Sequence, residues 1–188
     1  MGVTSSIIVF EVYLPQKAKK PLLTRRHMEK RLQFACDYAH WTESDWSRVI
    51  WSDESKADYR LTIKHGAGNA MFWGCISSHG TGCLVKIDGI MDTNKYLDVL
   101  REYLKKSEEK MGLKRSEDVF QQDGAPCHTS KKALHGFHIS KIHRLNWAPQ
   151  SPDLNPIEMI WARIKRELSN YSFPPCNTNE LVERVNCA

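Results

Sequence analysis

The six cysteines form no C-x-x-C pair and show no zinc-finger spacing, which argues against a structural zinc site. His135 and His138 stand three apart, but no cysteine pair lies near them. Secretory features are equally scarce. The apolar run Ser5 to Leu14 has no basic segment before it and carries Glu11, so it does not read as a signal peptide. No stretch approaches the ~20 apolar residues that cross a bilayer. Unpatterned cysteines without a secretory signal read as reduced thiols, and the expectation is a soluble, intracellular protein. Internal repeats and low-complexity tracts are also missing, which excludes solenoids and long linkers. Neither sign of charge dominates: 27 Lys and Arg face 22 Asp and Glu, a net +5. That excess is compatible with nucleic acid without demonstrating it.

What is present fits one domain with extensions. The chain has 188 residues, 41% of them hydrophobic, enough to bury a core. After a short strand-like run ending at Pro15, a basic segment holds Lys17, Lys19, Lys20, Arg25, Arg26, Lys30 and Arg31. Thr24 can cap a helix whose apolar side is Met28, Leu32, Phe34, Ala35 and Tyr38. The basic run is either a solvated helix face or a set of phosphate contacts. Arg48 to Trp51 reads as a strand closed by Ser52 and Asp53. Lys64 to Asn69 reads as a glycine-rich turn, followed by a strand over 70–76, a second turn over 77–82 and a strand over 83–87. The glycines precede a strand rather than a helix, so they are turn residues and not a phosphate loop. Asp92 or Thr93 caps a helix ending near Gly112. A strand over 119–122 stops at Asp123, because Gly124 and Pro126 follow. Thr129 and Ser130 start a short helix, and 142–145 reads as a last strand. The final helix spans about 156–168, with Ile157, Ile160, Trp161, Ile164 and Leu168 on one face. Antiparallel strands followed by alternating helices and strands indicate an α/β domain with a mixed sheet flanked by helices.

Three carboxylates stand out. Asp53 and Asp123 each follow a strand-like run, and Glu158 opens the last helix. Phosphodiester chemistry with two divalent ions needs hard carboxylate oxygens that converge from separate elements around ions roughly 3.5–4 Å apart. In open α/β sheets, sites form beyond the carboxyl ends of strands, where both aspartates fall. Each residue also has a plainer role open to it. Asp53 and Asp123 suit turns, and Asn155, Pro156 and Glu158 suit a capping box.

Around these residues the sequence resembles the transposases of the Tc/mariner superfamily. The blocks are Trp51-Ser52-Asp53-Glu54-Ser55-Lys56, Lys64-His65-Gly66, Met71-Phe72-Trp73-Gly74-Cys75, Gln121-Gln122-Asp123, Ala125-Pro126-Cys127-His128-Thr129-Ser130 and Gln150-Ser151-Pro152-Asp153-Leu154-Asn155-Pro156-Ile157-Glu158. The 34 residues between Asp123 and Glu158 match the spacing of that family's glutamate branch. The resemblance implies a ribonuclease H-like catalytic domain over 46–170. A tail over 1–20 and a basic helical segment over 21–45 precede it, and a shortened tail over 171–188 follows. It implies that Asp53, Asp123 and Glu158 hold Mg²⁺ (or Mn²⁺) for DNA cleavage and strand transfer. The implied partners are transposon ends and target DNA, the implied location is the nucleus, and membranes are not involved.

Departures from the family pattern set further expectations. Relatives carry helix-turn-helix modules before this region, so weak, non-specific DNA binding is expected here. Only seven residues separate Lys56 from Lys64, where relatives have a longer insert that clasps the second subunit of a homodimer. That shortening is expected to disable pairing of DNA ends before it disables metal binding. Gly124 stands where relatives usually have Asn. A truncated copy with its catalytic signature intact is the expectation. The alternatives are a catalytically inactive DNA-binding or interaction protein, or a metal-dependent nuclease without strand transfer.

Overall fold

The computed structural model describes residues 22–60 and 67–188. The strand-like run before Pro15, the first lysines of the basic segment, residues 61–63 of the short link and the Lys64-His65-Gly66 block lie outside the described residues.

A four-stranded mixed sheet in the order β3-β2-β1-β4 organises the chain. β1 (Val49–Arg60), β2 (Ala67–Ser77) and β3 (Gly80–Ile87) form an antiparallel meander, and β4 (Val119–Gln121) runs parallel to β1. Alternation along the strands sends side chains to two separate cores. On one face Ile50, Trp73 and Phe120 meet Tyr96, Leu100, Leu104 and Phe137. Those partners come from α3 (Thr93–Val99), a π turn (Leu100–Leu104) continuing into α4 (Lys105–Met111), and α6 (Lys131–Ile139). On the other face Ala57 and Phe72 meet Ile157, Trp161 and Ile164 of α7 (Ile157–Ser169), with Leu181 and Val185 of α8 (Thr178–Cys187). A third cluster gathers Phe34, Val49, Leu145 and Ala148. Around it stand Tyr38, Trp41, Trp46, Trp51 and Trp147, with the Trp46 and Trp51 rings stacked at 6.0 Å.

Local sequence explains most element ends. Thr24 caps α1 (Arg25–Asp37), and Thr42 with Asp45 forms a capping box on α2 (Glu43–Ser47). Asp92 accepts from the N–H of Lys95 to start α3, and Gly112, at φ 69°, ends α4 in the left-handed region, where glycine is strain-free. Gly82 answers to a close approach instead. A β-carbon there would lie 2.5 Å from the Cys75 sulfur and 2.7 Å from the Ser107 β-carbon. Ser130 caps α6 after the one-turn α5 (Pro126–Thr129).

Several expectations need correction. β1 does not close at Asp53. It continues to Arg60, because pairing with β2 carries it onward from Trp51 to Arg60. The turn expected over 64–69 is partly strand, since 67–69 pair with 58–60. The hairpin turn expected over 77–82 is only Ser78-His79, because Ser77 already pairs with Gly80. The strand expected over 142–145 is a single bridge, Phe120 with Arg144. Its partner β4 is only three residues long, and the pairing is confined to the Phe120 N–H with the His143 carbonyl and the Leu145 N–H with the Phe120 carbonyl. In α1 only the C-terminal half docks: Phe34 is buried, whereas Met28 and Leu32 are 51% and 67% exposed. No element had been read over 171–188, where α8 forms. All six cysteines are free, and among the described residues no helix is long and apolar enough to cross a membrane.

Candidate active site

The parallel register of β1 and β4 decides where the two aspartates fall. Trp51 pairs with Gln121, the last pair of the parallel ladder, and Asp53 and Asp123 each lie two residues beyond it. Adjacent strands are about 4.8 Å apart. Asp53 is therefore held within a continuous strand, opposite Gly74 of β2, while Asp123 lies just past the end of β4.

Three buried polar residues tie the carboxylate-bearing elements together. The Ser52 N–H donates to Gln121 Oε1 at 3.1 Å, and its hydroxyl donates to the Gln121 carbonyl at 2.8 Å. Asn155 Nδ2 donates to the Ser52 carbonyl at 3.2 Å, and its Oδ1 accepts from the Ile157 N–H at 3.4 Å. Asn155 thus caps α7 and fastens its start to β1 beside Asp53. The reciprocal half of a capping box is absent, because the Asn155 N–H donates to the Pro152 carbonyl. Glu158 is left in the first turn of α7 with its carboxylate free of that role. Behind this loop, Arg31 of α1 makes a two-pronged pair with Asp153 at 2.8 and 2.6 Å and donates to Ser151 Oγ at 2.7 Å. This arginine of the basic run therefore braces the loop instead of facing solvent. Asn155→Ala should cost about 1–3 kcal/mol, since it strips a buried carbonyl of its donor. Urea unfolding measures it, and a loss below about 0.5 kcal/mol, the range of ordinary surface changes, would remove the strap from this account.

Electrostatics mark Asp53 as the centre. Burial, followed by the charges of Glu54, Glu158 and Asp123, pushes its carboxyl up to about 7, against a partly offsetting hydrogen bond from the Glu54 N–H. No Lys or Arg ion pair reaches Asp53 or Glu158 among the described residues. A half-buried carboxyl raised by neighbouring carboxylates, with no Lys or Arg paired to Asp53 or Glu158, suits a divalent ion with hard oxygen ligands. Among the described residues no three His, Cys, Asp or Glu side chains close around one point as an ion cage. At Asp123, Oδ1 lies 2.6 Å from His128 Nδ1 and accepts from the Ala125 N–H at 2.9 Å.

His128 and its surroundings had not been singled out beyond the Ala125 to Ser130 block. The imidazole is 3% exposed and lies between Asp123 and Glu54, with Nε2 3.5 Å from Glu54 Oε1. Burial alone would lower its pKa, but the hydrogen bond to Asp123 and the charges of Asp123 and the nearby Glu54 raise it to about 10. It is an imidazolium at neutral pH. At Asp123, burial acts upward, but the His128 and Ala125 hydrogen bonds with the imidazolium charge outweigh it and hold the carboxyl low. The Tyr96 ring lies on the imidazole at 4.0 Å between centroids, a placement that favours the charged ring. The Tyr96 hydroxyl bonds Gln122 Oε1, and Gln122 Nε2 donates to the His128 carbonyl at 3.2 Å. The signal available in sequence was a histidine five residues after a strand-ending aspartate, which means nothing until α5 folds it back.

The sequence profile of the DDE superfamily endonucleases matches residues 35–179. The chain belongs to that family. It is 37% identical to the transposable element Tcb1 transposase of Caenorhabditis briggsae and 34% identical to the transposable element Tc1 transposase of Caenorhabditis elegans. Each match covers 80% of this chain and 62% of the relative, so the chain spans about three-fifths of the relatives' length. Among solved structures it is similar to the Mos1 mariner paired-end complex with Mn, with a TM-score of 0.74 at 16% identity over 90% of this chain and 56% of that one. It is also similar to the Mos1 transposase catalytic domain, with a TM-score of 0.68 at 20% identity over 87% of this chain and 82% of that one. These superpositions confirm the ribonuclease H-like fold of this DDE family member.

Proposed function

We propose that this chain is the catalytic part of a DNA transposase, within 46–170, using Mg²⁺ or Mn²⁺ held by Asp53, Asp123 and Glu158. The observation that carries the reading is Asp53: a half-buried carboxyl within a strand, raised by desolvation and by the charges of three neighbouring carboxylates, with no Lys or Arg ion pair to it among the described residues. Bound divalent ions would lower the pKa of an attacking water or 3′-hydroxyl and neutralise charge on the leaving oxygen. The protein's own part is positional. β1 fixes Asp53 opposite Gly74 of β2, Asn155 fixes the start of α7 and so Glu158, and α5 returns His128 to Asp123. The carboxylates need no covalent bond to DNA. Transposon ends and target DNA are the proposed substrates, reached in the nucleus. The exposed Arg163, Lys165 and Arg166 of α7 are suited to sequence-independent phosphate contacts.

Nicking of supercoiled plasmid in Mg²⁺ or Mn²⁺ tests the reading, with transfer of pre-cut ends separating a transposase from a simple nuclease. Asp123→Asn should lower nicking by at least about 100-fold, the most that loss of a merely supporting partner costs. Metal-dependent nicking that survives in Asp123→Asn, or DNA binding with no nicking at all, would count against it.

A further inference from the structure

The Asp123 carboxylate is not symmetric in its surroundings. Both donors that reach it, His128 Nδ1 and the Ala125 N–H, bond the same oxygen, Oδ1. No hydrogen bond to Oδ2 occurs among the described residues. The imidazole that makes this contact is itself fixed on every side. Tyr96 covers its ring, Gln122 holds its backbone carbonyl, and Glu54 faces its other nitrogen. Tyr96 and Gln122 are held to each other, and both are buried. Such a set does more than fill space, since a phenylalanine would fill the same pocket without two carboxylates converging on it.

From this geometry we infer that His128 is a positioning residue: with the Ala125 N–H it captures Oδ1 of Asp123, leaving Oδ2 as the oxygen that binds a divalent ion. The inference rests on the proposed ion site and specifies how one of its ligands is presented. An unrestrained aspartate just past a strand end samples several rotamers and can chelate with both oxygens. A captured one offers a single oxygen in one direction, with its rotamer entropy already lost before the ion arrives. Glu54 has a separate part. It lies on the opposite face of β1 from Asp53, by the alternation of strand side chains, with Oε1 3.5 Å from His128 Nε2, so it stands behind the imidazole rather than adding a ligand.

The test measures Mn²⁺ alone, by the spin-resonance signal of the free ion, on the full chain. His128→Phe retains the ring against Tyr96 but has no donor, and His128→Asn places an amide nitrogen where Nδ1 was. His128→Phe should weaken Mn²⁺ binding by about 10–100-fold, and His128→Asn should bind within about threefold of the parent, because the single contact that matters is restored. A purely structural role would not produce this split, since the smaller asparagine disturbs packing more than phenylalanine does. Urea midpoints accompany each measurement. If His128→Phe fails to fold with Glu54 stranded beside it, His128→Phe combined with Glu54→Gln is measured in its place. Unchanged affinity in the phenylalanine variant, or asparagine as weak as phenylalanine, would overturn the role of His128 while leaving the ion site standing. Absence of Mn²⁺ binding by the parent protein, or binding indifferent to Asp53→Ala, would overturn the ion site and this inference with it.

Discussion

Asp53→Asn should yield a protein that is more stable and inactive at once. The folded carboxyl titrates at about 7, whereas an aspartate in an unfolded chain titrates near ~3.9. Between those values the folded state holds a proton that the unfolded state has released. Wild-type stability from this group therefore falls as pH rises from about 4 to about 7, and stays at the lower level above. Asparagine removes that penalty. In chelator-containing buffer at pH 8 the variant should gain about 2 kcal/mol in urea unfolding, and the gain should vanish near pH 4. His128 also makes stability fall with pH, between about 6.5 and about 10, but it does so in both proteins and cancels in the comparison. Nicking should fall by at least about 100-fold, as for Asp123→Asn. A variant no more stable than wild type at pH 8 would show that Asp53 is not held against its ionisation.

Trp161→Ala should have the largest cost to stability, about 3–5 kcal/mol, a large fraction of the roughly 5–15 kcal/mol that holds a domain together. Trp161 is 3% exposed within the cluster that joins α7 and α8 to the sheet. Its six-membered ring lies on the backbone of Gly74, so close that a β-carbon there would be 3.0 Å from Cη2. Gly74 is the cross-strand neighbour of Asp53. With the Asn155 strap, this contact holds the helix that carries Glu158 against the strand pair that carries Asp53. Mn²⁺ affinity should fall along with stability. Trp161→Phe should lose less, because the indole N–H is buried without a partner and phenylalanine carries no such group. Equal losses in the two variants, or full Mn²⁺ affinity in the alanine variant, would contradict this coupling.

The elements legible in the sequence were those with local causes. Thr24, Asp92 and Ser130 sit at helix starts, Gly112 ends α4, and the Ile157 to Leu168 stripe faces the sheet, all by rules that act within a few residues. The beginning of β4 follows from an apolar run, and the Gly-Ala-Pro break accounts for its ending before Asp123, although it closes at Gln121, one residue earlier than expected. What sequence could not supply is set by partners distant in the chain. The length of β1 comes from β2, and the reduction of 142–145 to one bridge comes from its limited contact with Phe120. The fate of Glu158 hinged on where the Asn155 N–H went, which the turn at Pro152 decides. Asp123 and Glu158 were visible beside a strand end and in a first helical turn, whereas Asp53 proved to lie inside β1, and the approach of the two aspartates depends on the parallel register of two strands about seventy positions apart. His128 and Arg31 were each plausible as something plainer, a helix residue and a solvated cation, until the fold brought them to Asp123 and Asp153.

The crowd of tryptophans beside α1 has an optical consequence. Trp41, Trp46, Trp51 and Trp147 account for four of the six indoles in the chain, and the nearly parallel Trp46 and Trp51 rings, 15° apart, are close enough for their excited states to mix. Trp51 is also two residues before Asp53, on the same face of the same strand. Near-ultraviolet dichroism and intrinsic fluorescence therefore report chiefly on the root of β1 rather than on the molecule at large. An event that shifts the Asp53 strand is readable there without any dye or label.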